Sequence, residues 1–174
     1  MDIRPSLQIQ VMIKAMEQVV VPAVDPVNKI AHEQASLVLA TLRVLEQRMP
    51  LWRNYLRDEL RRLAALVDEI VSLEDGDCEI RAALAMLAQE GHALFARSDA
   101  ETPDLEQATI ALRNGIGRLM AEYKGLIHRT QLGRLILHAS KEQLERERAW
   151  LLPFGFESDT SAIVPIEQQL ASAA

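Results

Sequence analysis

The apolar residues Ala31, Ala35, Val38, Leu42, Leu45 and Met49 are separated by gaps that alternate between four and three. That alternation holds side chains on one stripe of a helix. Asp25 and Pro26 stand just upstream, a capping residue followed by a proline suited to the first helical position, and Pro50 closes the segment. The pattern predicts a helix over 27–49, placed in the middle of a bundle, with His32, Ser36, Arg43 and Gln47 on its polar side.

The rest of the chain repeats the theme. Ile9, Met12, Met16, Val19 and Ala23 predict a helix over about 6–21, with Gln10, Lys14, Glu17 and Gln18 opposite. Pro22 and Pro26 are expected to break it, since neither supplies a backbone donor and each disfavours helix in its predecessor. Leu56, Leu60, Leu63, Val67 and Ile70 form a third stripe, joined to the second helix through Met49 and Pro50 by a sharp turn or a kink, of which the turn is expected because short loops join antiparallel neighbours. Glu74, Asp75, Gly76 and Asp77 read as a turn. A calcium loop there would put Val71 and Leu73 at ligand positions, and neither side chain binds a hard cation.

Ile80, Leu84, Leu87, Gly91 and Leu94 mark a fourth helix, kept slim by Ala82, Ala83, Ala85 and Ala88. Thr102 and Pro103 open a fifth, with Leu105, Leu112, Ile116, Leu119, Tyr123 and Leu126 in heptad-like register. Gly115 and Gly117 weaken it and point to close packing. The register continues through Leu137, Leu144 and Leu151, so one long helix competes with a break within 123–137. Base rates favour a break and a sixth helix over about 130–150. From Leu151 onward, Pro153, Gly155, Ser158, Asp159 and Pro165 describe an ordered tail with a final helical turn starting near Pro165. No strand pattern and no internal repeat appears. The expected architecture is an all-α, up-and-down bundle of about six helices over 1–150. The tail, 151–174, docks on that bundle or on a second subunit.

Composition narrows the function. A length of 174 residues suits one domain with its own core. Hydrophobic residues make up 49% but aromatics only 4%, so the core rests on Leu, Ala, Val, Ile and Met. The formal net charge of −6 disfavours nucleic acid and anionic membranes as partners. A single cysteine, Cys78, excludes an internal disulfide framework and fits a reducing compartment. No leader is evident, and no segment approaches the ~18 uninterrupted apolar residues of a membrane span. The expected location is cytoplasmic.

Most catalytic patterns are missing. A di-metal carboxylate bundle needs Glu three residues before His on two helices, and the residues three before the histidines are Lys29, Gln89, Gly125 and Leu135. His32, His92, His128 and His138 include no pair three or four apart, and their ordinary role is a solvated or hydrogen-bonded one. His138 with Glu142 reads as a surface pair. Cys78, between Asp77 and Glu79, has charge against a thiolate and reads as a small buried side chain. Gly115 and Gly117 fail as a dinucleotide fingerprint, because Met120 takes the third glycine position and no strand precedes it. No metal and no cofactor is expected.

One polar feature stands out. Arg53, Arg57 and Arg61 are each four apart and stack on one face of the third helix. Such a ladder suits an anion, because guanidinium groups bind phosphate and carboxylate in two-pronged fashion. The blander reading is a solvated face pairing with Glu142, Glu145 or Glu147 of a neighbouring helix.

Met12 and Met16 present a soft apolar surface suited to a ligand, a partner or plain core filling. Trp150, Phe154 and Phe156 crowd one short segment that Pro153 and Gly155 keep from being a regular helix. These rings are expected to fold back as a lid on their own core, or to anchor a second subunit. Val11, Ile13, Ile30, Leu37, Ala85 and Met86 add apolar surface beyond single stripes. A surplus of that kind suits an oligomer interface. The leading expectation is therefore a non-catalytic helical protein acting through self-association as a homodimer, or through a protein partner. The alternative is a binder of an apolar small molecule with an acidic head group, held between helices.

Overall fold

The computed structural model describes residues 3–73, 79–122 and 126–171, and the side chains of these except 126–129. The expected turn at Glu74 to Asp77, Cys78, Tyr123, Gly125 and the side chain of His128 lie outside the described residues. About 85% of the chain is helical and the described residues include no strand, so the protein is an all-α helical bundle. The chain divides into two compact units, one comprising Met1–Trp52 with Glu147–Gln168, the other Arg53–Arg146 with Gln169–Ala174.

In the first unit, α1 (Pro5–Ala15) begins with proline at its first turn, where a missing N–H costs nothing. The expected break falls between Pro22 and Pro26, two residues past the first of them. The helix runs on through a π turn, Met16–Val20, and a short α segment, Val21–Ala23, before Val24 turns extended. In regular α register the Pro22 ring would collide with the Gln18 carbonyl, and the widened turn directly before it removes that conflict.

Helix α2 (Lys29–Arg48) packs on α1, and Ile9, Ile13 and Val44 are buried. Its cap is Asn28, whose side chain accepts the Ala31 N–H at 3.1 Å. Asp25, the expected cap, instead accepts the Val27 N–H at 2.9 Å and shapes the preceding turn. The expected sharp turn at Pro50 is absent too. Met49–Leu51 is a 3-10 turn flanked by right-handed helical backbone at Arg48 and Trp52, and proline sits near its start, where it is tolerated.

The second unit is built on α3 (Trp52–Ser72). Leu56, Leu60, Ala64, Val67 and Ile70 are buried in the main core, together with Leu84, Leu105, Leu112, Leu119 and Leu132. Helices α4 (Glu79–Ala96) and α5 (Thr102–Glu122) pack closely on each other. Glycine permits the approach: a Cβ on Gly115 would stand only 2.6 Å from Leu84 Cδ1 of α4, while one on Gly91 would stand 3.5 Å from Leu112 Cδ1 of α5 and 3.3 Å from Leu60 Cδ1 of α3. The sixth long helix, α6 (Leu126–Leu151), starts four residues before the expected boundary, and α7 (Ile166–Ala171) follows Pro165 as anticipated.

Two expectations about burial are corrected. The central helix of the core is α3 and not α2. Of the α2 stripe, Ala31, Ala35 and Leu42 are half-buried while Val38, Leu45 and Met49 are exposed. A stripe with two alanines offers less area per turn than the Leu, Val and Ile of α3, and burial is driven by area. On α6, Leu137, Leu144 and Leu151 continue the heptad spacing yet stand exposed, while Leu132, Arg146 and Ala149 are buried.

Candidate functional site

The arginine ladder is assembled as its spacing implies, but its donors go to the protein itself. Arg57 donates through Nη2 to the Phe95 carbonyl at 2.6 Å and through Nη1 to the Arg97 carbonyl at 2.8 Å, with its guanidinium 4.9 Å over the Phe95 ring. Arg53 donates to the carbonyls of Ser98 at 2.6 Å and Ala100 at 3.1 Å. These acceptors lie in the last turn of α4 and the segment after it, where helix geometry leaves carbonyls without partners. A cation there also meets the negative end of the helix dipole. Arg61 pairs with Asp58 at 2.6 Å, and Arg62 reaches Glu142 at 2.7 Å.

The device recurs. In the first unit the buried Arg48 donates to the Trp150 carbonyl at 2.9 Å and the Ala149 carbonyl at 3.2 Å, pairs with Glu167, and lies 5.7 Å over the Trp150 ring. That closes the end of α6. Arg81 donates to the Leu73 carbonyl just past the end of α3.

Periodicity gave no warning of a buried polar knot in the second unit. Arg146, 3% exposed, donates to the buried carboxylate of Asp58 and lies 4.8 Å over the Tyr55 ring. The Tyr55 hydroxyl accepts from Gln143 at 3.0 Å. Glu59, also buried, accepts from Arg113. Asp58 falls about 200° around the helix from Leu56, off the apolar stripe, so the spacing alone did not mark it for burial.

Two of the histidines meet a carboxylate. His92 meets Asp68 at 2.7 Å and His138 meets Glu142 at 3.4 Å, the latter pair being the one read from the sequence. Among the described residues no three His, Cys, Asp or Glu side chains are grouped to hold a metal. Perturbed carboxylates lie at the surface. Hydrogen bonds from Arg148 to Glu157 and from Arg97 to Asp99 hold those acids below the usual carboxylate range, and Ser161 does the same for Asp159.

Of the apolar candidates, Met12 is exposed and Met16 half-buried. Trp150 packs on Trp52 with centroids 5.7 Å apart, and Phe154 is half-buried. Phe156, 78% exposed, is not covered as expected; it stacks on Phe154 at 5.4 Å beyond Gly155, whose φ of 74° turns the chain. In the second unit a shallow groove of about 480 Å³ is lined by Leu87, Leu94 and Ala108, with Glu90, Arg97 and Asp104 at its edge.

A further apolar surface lies on α2. Ile30 is 75% exposed, Leu37 46%, Val38 48% and Leu45 45%. At 100° per residue these four fall within about a third of the helix circumference. Gln34 and Thr41 lie between them, both exposed. Between Ile30 and Leu45 no charged side chain falls inside this arc: Lys29, Arg43 and Glu46 point elsewhere around the helix, and the exposed Glu33 borders the arc about 40° from Leu37. No protein-family model, curated protein or solved structure matches the chain.

Proposed function

We propose that this is a helical-bundle protein that acts by association, first with a second copy of itself, through the apolar surface of its first unit. The observation that carries the reading is the charge-free face of α2, with Ile30, Leu37, Val38 and Leu45 in solvent. Single exposed apolar residues are ordinary, but a contiguous set on one helix face is a mark of an interaction surface. The two units differ in the same sense. The main core belongs to the second, while most of the large apolar side chains left exposed among the described residues belong to the first. Among the described residues no helix is long and apolar enough to cross a membrane, and a cytoplasmic location is part of the same reading.

A second reading rests on the groove beside α4 and α5. Its Leu and Ala floor with Arg97 at the edge suits an apolar molecule bearing an acidic group, although Arg97 already pairs with Asp99 at 3.2 Å. Native mass spectrometry of gently purified protein separates the two. A dimer mass without added ligand is the expected result, a monomer with a retained small-molecule mass favours the groove, and a bare monomer at high concentration rejects both.

A further inference from the structure

We infer that two copies meet by crossing α2 on α2 about a two-fold axis midway between Leu37 and Val38. This rests on the self-association proposed above and assigns its geometry. The exposed face consists of two ridges of residues four apart: Ile30, Gln34 and Val38 on one, Leu37, Thr41 and Leu45 on the other. Reversing the helix about the point between 37 and 38 exchanges Ile30 with Leu45, Gln34 with Thr41, and Val38 with Leu37. The face is therefore complementary to itself in antiparallel sense, as an isologous contact requires. Ridges of this spacing interdigitate at a crossing of about 50°.

The chemistry at each exchanged position agrees. Ile30 meets Leu45 and Leu37 meets Val38 as apolar pairs. The polar pair falls on the polar pair, and Thr41 is prepared for it. Its hydroxyl donates to the Leu37 carbonyl at 2.9 Å, which leaves its oxygen free to accept the Gln34 amide of the second copy. Burial thus strands no donor in the centre of the contact. The absence of charge on the face argues against an acidic or basic partner and for a like one.

The test uses Ile30→Glu and Leu45→Lys in the full chain, examined by light scattering at low salt. Both sites are exposed, and unchanged circular dichroism verifies folding. Each variant alone places two charges against apolar side chains in a homodimer, and its dissociation constant is expected to rise at least tenfold. An equal mixture of the two forms a heterodimer with one native contact and one Glu–Lys contact, so association is expected to return. Within one helix these positions are about 22 Å apart, so no single chain can make that pair. If both variants are monomeric and the mixture stays monomeric while the unmodified protein dimerises, the two-fold pairing is overturned and association stands. If each variant dimerises as the unmodified protein does, α2 is not the interface. An unmodified protein that is monomeric overturns both.

Discussion

Several arginines of this chain serve as closures for helix ends. Arg53 and Arg57 satisfy carbonyls at the end of α4, Arg48 those of α6, and Arg81 one beyond α3. The four-residue spacing of Arg53, Arg57 and Arg61 was legible as one face. Their acceptors were not, because Phe95 and Ala100 come within reach only when α4 lies beside α3. The buried pair of Asp58 and Arg146 is the sharpest case, its partners 88 residues apart. Removing one member leaves the other as an uncompensated buried charge, so Asp58→Ala is expected to cost about 3–5 kcal/mol. Replacing both, Asp58→Leu with Arg146→Met, is expected to restore most of that loss, since apolar packing competes well with a buried ion pair. Urea unfolding of the three proteins checks this. A double variant no more stable than the single would show that the pair's value is not in mutual neutralisation.

At the scale of elements, periodicity identified every long helix, and errors concentrated at Pro50, in the exact place where Pro22 ends its helix, and in the choice of buried face. Pro22 and Pro50 read as breaks because α-helix rejects an interior proline. The π turn before one and the 3-10 turn around the other let the backbone stay helical. Glycine on α5 gives a discriminating prediction. A Cβ at Gly117 meets nothing within 4 Å, so Gly117→Ala gains helix propensity and is expected to stabilise by about 0.8–1 kcal/mol. At Gly115 the new methyl presses on the fully buried Leu84, and overpacking of roughly 1–3 kcal/mol offsets or exceeds the same gain. Thermal unfolding of the two alanine variants should move in different directions. Equal stabilisation would mean that Leu84 yields freely and that Gly115 marks no close approach.

For the whole molecule, the self-association proposed above would tie stability to protein concentration, because a second copy would bind only the folded chain. The melting temperature is expected to rise by several degrees over a hundredfold range of concentration, and Leu37→Glu is expected to flatten that dependence. A concentration-independent transition in the unmodified protein would count against self-association. The all-α class, the long helices, the one-face arginine ladder and the surplus of apolar surface were written in the sequence, because each depends on spacing along a single helix. Which stripe is buried was decided in three dimensions. The stripes of α2 and α3 share a period, but only α3 has Leu84, Leu105 and Leu112 to close around it. Helical periodicity records that a face is apolar. What covers that face, whether a neighbouring helix or a second copy, depends on elements distant in the chain.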